Sequence, residues 1–178
     1  MRKAYRLGSV AGLRIVAERS VIYASAGLWI LAGGAGIFLL DLSPGSAIVG
    51  GAAAVALHWF AGLVHHLGHA WAARRTGFPM SGILCRLLLC TSRYPRHEPL
   101  LPANVHIRRA LGGPLFSFLL ALASAVLAIL LRAQGGRLWY APAFLALDSF
   151  VVFTVGALLP LGFTDGSTLL EWWPQRDR

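Results

Sequence analysis

Residues 64 to 75 read VHHLGHAWAARR, which places three histidines where an uncharged run gives way to arginines. His65 and His69 are four positions apart, so a helix would stack their imidazoles on one face. Two imidazoles in that arrangement are the metal-binding half of the His-Glu-x-x-His pattern of zinc hydrolases, whose glutamate acts as general base. Here the glutamate position holds His66. Imidazole has an ordinary pKa near 6.5 and could take a proton near neutrality. It lies about 100° round the helix from His65, on a shorter and bulkier arm than a glutamate. Beside a divalent cation it resists becoming the acid that a leaving amine needs. It could also become a further metal ligand, and all three histidines could equally be packed at a helix end with no metal.

Which reading holds depends on what else reaches the same depth, and that depends on the elements. The 178 residues are 57% hydrophobic and 13% charged, with a mean hydropathy of +0.65. Soluble domains run nearer to 45–50% apolar and about 25% charged. A bilayer-crossing helix needs roughly 20 apolar residues. Four stretches meet that need: 20–40, 46–73, 110–131 and 139–164, the last interrupted by Asp148. The expected fold is therefore an all-α membrane protein, a four-transmembrane-helix bundle in a single domain over 1–178. The first span is longer than a signal-peptide core and follows a basic lead-in, so it is expected to stay.

The net charge of +9 is distributed along the chain in a way that argues against nucleic acid. Arg2, Lys3, Arg6, Arg14 and Arg19 precede the first span, and the turn DLSPGS after it carries no basic residue. Arg74, Arg75, Arg86, Arg93, Arg96, Arg108 and Arg109 crowd the 74–109 loop, whereas only Arg132 and Arg137 separate the last two spans. This is the positive-inside pattern, with both termini and the long loop in the cytoplasm and the lipid bilayer as partner. Spans two and four then run in the same direction. Their cytoplasmic ends carry His65, His66 and His69 on one and Asp165 on the other. Two imidazoles and a carboxylate make a three-ligand set with a fourth position open, as in catalytic zinc sites. The donor types suit Zn2+ and do not exclude iron, cobalt or nickel.

Four stretches resemble the site-2 protease family, the intramembrane zinc metalloproteases. RLGSVAGLRI (6–15) is similar to the family's amphipathic segment leading into the first helix, and VHHLGHAWAARRTGFP (64–79) to its His-Glu-x-x-His helix. RRALGGPLFSFLLALA (108–123) resembles its Ala-Gly-Pro helix, and ALLPLGFTDGSTLL (157–170) its Asn-Leu-Leu-Pro and Leu-Asp-Gly-Gly element. The resemblance implies zinc on His65, His69 and Asp165, with Gly113, Pro114 and Pro160 at family positions. It also implies a transmembrane or membrane-proximal peptide as substrate, and a multi-pass protein of the bacterial cytoplasmic membrane. The family's catalytic glutamate is His66 here, and two of its asparagines are Ser117 and Ala157. Those departures leave three readings open: a metalloendopeptidase with altered catalysis, a pseudoprotease that binds transmembrane segments without cutting them, and a small histidine-based metal-binding membrane protein.

Other residues draw plainer expectations. Cys85 and Cys90 are expected as reduced, small apolar side chains, and the apolar run 82–90 as a short strand or re-entrant segment. In the family this region includes an edge strand that aligns an extended substrate, a mode suited to strand addition. Glu98, in PRHEPLL, is a loop carboxylate that could fold back over the site. His58 lies about 10 Å along the helix from His65, too far to share a metal. Asp148 lies about 25 Å from Asp165 along a straight helix, in the outer half of the membrane, where a carboxylate is either functional or a hydrogen-bonded helix contact. His106, Trp172 and Trp173 suit the lipid interface.

Overall fold

A computed structural model describes residues 4–177. Three helices are long and apolar enough to cross a membrane: α1 (Ser20–Leu40), α2 (Pro44–Arg75) and α3 (Ala103–Ala133). The first two coincide closely with the expected spans, and α3 begins seven residues before its apolar run does. The fourth expected span, 139–164, is not one helix. It comprises α4 (Tyr140–Phe150) and a π-helical turn over Val151–Gly156, and the chain leaves helical geometry before Pro160. Proline disfavours the helical region for the residue before it, and Gly162 beyond it takes a φ of 86°. The eight-residue α5 (Asp165–Trp172) then starts a new direction.

The all-α expectation is also corrected. The described residues include a four-stranded sheet in the order β1 (Ala4–Val10), β2 (Leu13–Glu18), β3 (Gly82–Arg86), β4 (Leu89–Arg93). The β1–β2 hairpin turns at Ala11 and Gly12, whose φ values are 50° and 81°. Positive φ at both turn residues is the demand of the tightest hairpin connection. β2 and β3 run parallel, joined across α1 and α2, and β3 and β4 are antiparallel. The expected strand between helices two and three is therefore a hairpin, with β4 as one edge of the sheet. Cys85 and Cys90 face each other across that hairpin and are joined as a disulfide, where free thiols were expected.

The sheet packs on the last turns of α2 through Leu13, Ala17, Ile83 and Cys85, joined by Met80 from the segment before β3, against Ala70 and Ala73. Arg74 donates from its guanidinium to the carbonyl of Ala11, tying the end of α2 to the first hairpin. Within the membrane α2 and α3 touch backbone to backbone. A Cβ on Gly68 would strike the Gly112 carbonyl, and one on Gly112 would strike the Gly68 carbonyl. Small residues at a crossing let helix axes approach where lipid offers no hydrophobic drive. That contact sets His65 and His69, one turn apart on α2, directly against α3.

Candidate metal centre

The helical period does what the spacing predicts. His65 and His69 present their Nε2 atoms 2.9 Å apart, with ring centroids 4.6 Å apart. Asp165, the first residue of α5, reaches both: its Oδ2 lies 3.3 Å from His65 Nε2 and its Oδ1 3.4 Å from His69 Nε2. Asp165 is delivered there by the broken segment before it. Gly162 N–H donates to Ser167 Oγ at 2.7 Å, Leu161 N–H donates to Thr164 Oγ1 at 3.2 Å, and the Thr164 hydroxyl donates to the Leu159 carbonyl. Gly166 sits where a Cβ would collide with the Leu158 carbonyl, so α5 can dock only with glycine there.

Each imidazole has its other nitrogen occupied. His69 Nδ1 is 2.7 Å from the Arg109 carbonyl. A carbonyl only accepts, so Nδ1 carries the proton and Nε2 is left with its lone pair. His65 Nδ1 lies 3.0 Å from Ser117 Oγ, which can accept likewise. Such partners fix the tautomer and orient the ring in metal sites. Tetrahedral zinc with ligands at about 2.0–2.1 Å has ligand–ligand edges of about 3.3–3.4 Å. The three edges here, 2.9, 3.3 and 3.4 Å, fit that figure with little movement. Gly113 completes the fit, because a Cβ there would fall against both Nε2 atoms. The two imidazoles and the carboxylate could hold a metal ion.

His66 does not join them. Among the described residues the group whose ligand atoms lie within 4.8 Å of one another is His65, His69 and Asp165. The His66 ring lies 5.2 Å from His65 and 5.7 Å from His69, centroid to centroid. Its Nδ1 donates to the Gly62 carbonyl at 2.8 Å, so its Nε2 is the unprotonated nitrogen. His66 lines the same cavity as the ligand group, a space of about 730 Å3 bounded on its far side by β4 residues such as Thr91 and Ser92.

Glu98 does reach this cavity, as its loop position suggested, but it arrives already paired. Arg109 grips it at both oxygens, Nη2 to Oε1 at 2.6 Å and Nη1 to Oε2 at 3.1 Å. Arg109 is buried, lies 4.0 Å over the Tyr94 ring and donates to the Phe78 carbonyl. Burial pushes the Tyr94 phenol up to about 12, so it stays neutral beside that cation. Sequence reasoning counted Arg109 with the loop charges and missed that it turns inward. The available signal was its place four residues before Gly113, on the same helix face. Ser117 was read as a lost asparagine, yet its buried hydroxyl orients His65. His106 also borders the cavity and stacks on Trp172, centroids 4.1 Å apart. His58 and Asp148 are brought to one another, at 3.1 Å, rather than to the metal group.

No protein-family model matches this sequence, and no curated protein matches it either. Among solved structures the chain is similar to the site-2 protease from Methanocaldococcus jannaschii, with a TM-score of 0.62. The two are 17% identical, and the match covers 94% of this chain and 70% of that one. Together with the three apolar helices, the likeness identifies an integral membrane protein with the site-2 protease fold.

Proposed function

We propose that this protein binds a zinc ion through His65, His69 and Asp165 and receives a membrane-derived peptide in the adjoining cavity, without cleaving it by glutamate-assisted hydrolysis. The observation that carries the reading is the convergence of three ligand atoms from α2 and α5 at mutual distances that suit zinc, with a glycine keeping the space open. A bound zinc would supply a Lewis acid that polarises a carbonyl or a water. The chain's own residues do the rest. His69 is held in one tautomer by the Arg109 carbonyl, and His65 is oriented by the Ser117 hydroxyl. The free edge of β4 offers backbone groups to an extended peptide. Hydrolysis by the usual route further needs a carboxylate that takes and returns a proton, a contribution of about 10²–10⁴-fold. Neither candidate fills that role: His66 stands at the glutamate position, and Glu98 is locked to Arg109.

One observation favours a second reading, an enzyme with an imidazole base. With Nδ1 donated to Gly62, His66 presents an unprotonated Nε2 in the wall of the cavity. The decisive experiment compares purified wild type with His66→Glu for zinc content and for cleavage of a transmembrane peptide, with and without chelator. We expect one zinc per chain in both and cleavage only by His66→Glu. Chelator-sensitive cleavage by wild type would establish the imidazole-base enzyme instead. His65→Ala and Asp165→Ala should each lose stoichiometric zinc by elemental analysis, and normal zinc in both would overturn the ligand set.

A further inference from the structure

His58 and Asp148 are costly residues to place among apolar helices, and the metal group uses neither. His58 lies two helical turns from His65 on α2, and Asp148 lies on α4. Both side chains are buried, at 5% and 9% exposure. His58 Nδ1 is 3.2 and 3.1 Å from the two carboxylate oxygens of Asp148. Its Nε2 is 2.7 Å from the carbonyl of Leu88, at the turn of the β3–β4 hairpin. The proton inventory follows from the partners. The Leu88 carbonyl only accepts, so Nε2 carries a hydrogen. The contact with Asp148 needs a second, shared between Nδ1 and the carboxyl. Wherever that second proton resides, the pair is neutral overall, every close contact has a donor, and a burial that would otherwise be prohibitive becomes tolerable.

The geometry points to a positioning role: we propose that His58 and Asp148 form a latch that fastens the tip of the β3–β4 hairpin into the helix bundle and so holds the β4 edge as the wall of the metal cavity. The hairpin tip has two other anchors among the described residues, the Leu87 N–H donating to Ser20 Oγ at 3.2 Å and Arg86 Nε donating to Glu18 Oε1 at 2.6 Å, and both lead to the sheet end of α1 rather than to α2. His58 supplies the anchor from α2, the helix that also carries His65 and His69. Phe153 couples the two levels of that helix, its ring centroid 5.2 Å from His58 and 5.7 Å from His65. Where the hairpin tip sits relative to α2 sets the width of the space between β4 and the metal ligands. The latch therefore fixes the slot in which the proposed peptide would lie. The inference rests on the proposed reading only for the identity of that occupant.

The test uses hydrogen–deuterium exchange of residues 82–93 in the full-length, detergent-solubilised protein. In the double variant His58→Leu with Asp148→Leu, apolar side chains replace the pair and no orphan charge remains, but Leu88 loses its donor. We expect exchange in the hairpin to rise several-fold, up to about tenfold, the scale of one lost hydrogen bond, with zinc content unchanged. Asp148→Asn should exchange like wild type, because neutral His58 still donates Nε2–H to Leu88 and accepts an amide hydrogen at Nδ1. Wild-type exchange in a folded double variant overturns the latch. Should that variant fail to fold, 15N-histidine spectra of the wild type decide: a protonated His58 Nε2 supports the latch, and an unprotonated one overturns it. Absence of zinc from the wild type would overturn the metal reading and leave the hairpin measurement standing.

Discussion

At the scale of single residues the proposed metal site is defined as much by what is missing as by the side chains that converge on it. Gly113 has no side chain, and that absence gives both Nε2 atoms their space. Gly113→Ala would push a methyl group between them, and its relief, a shift of either imidazole, breaks the ligand set. Its zinc content should therefore fall below stoichiometric while the helical circular dichroism stays unchanged; full zinc loading would show that the ligands lie elsewhere. Ser117→Ala makes the complementary case. It leaves the ligands in place but removes the hydroxyl that orients His65, and loss of such partners typically weakens metal affinity 10–100-fold. A zinc titration against a competing chelator should show a shift of about that size. Unchanged affinity would mean that Ser117 merely fills space.

At the scale of elements the site depends on how closely α2 and α3 cross. Gly68 lies between His65 and His69, and its backbone meets that of Gly112. Gly68→Ala should part the helices, cost about 1–3 kcal/mol by overpacking and carry both histidines away from Gly113. A lower thermal midpoint together with lost zinc is the expected result; a normal midpoint and normal zinc would show that the crossing yields without consequence. Much at this scale was legible in the sequence. Uncharged runs of bilayer length marked three of the four expected spans correctly, and the four-residue histidine spacing gave the shared face. Asp165 could be matched to them because positive-inside charge put two distant segments at one depth. The sheet was less legible. Its strands are short, and Ala4–Val10 is exposed along its whole length, so it lacks the alternation of buried and exposed positions that betrays a strand. The apolar run 82–90 pointed to the second hairpin, whereas the first left only the Ala11–Gly12 turn as a local cue. The break after Leu158 was signalled by Pro160 but obscured by the apolar residues on either side of it. The His58–Asp148 pairing was hidden for a plainer reason: contacts between residues 90 positions apart leave no local pattern.

At the scale of the whole molecule, the arrangement separates two ends. The sheet, the loop before α3, the metal group and α5 gather at one end of the helices. The α1–α2 turn and residues 134–139 lie at the other. Basic residues follow the same division, since Arg74, Arg75, Arg86, Arg93, Arg96, Arg108 and Arg109 all fall between α2 and the first turns of α3. Arginine flanking a span is held on the cytoplasmic side during insertion, so the metal end should face the cytoplasm. Single cysteines test this in a background where Cys85 and Cys90 are replaced by serine. A membrane-impermeant thiol reagent added to intact cells should label a cysteine at Gly135, in the short α3–α4 turn, and spare one at Arg96, in the loop before α3. The reverse pattern would invert the protein in the membrane. The cavity would then open to the outer face, and any peptide it receives would have to come from that side.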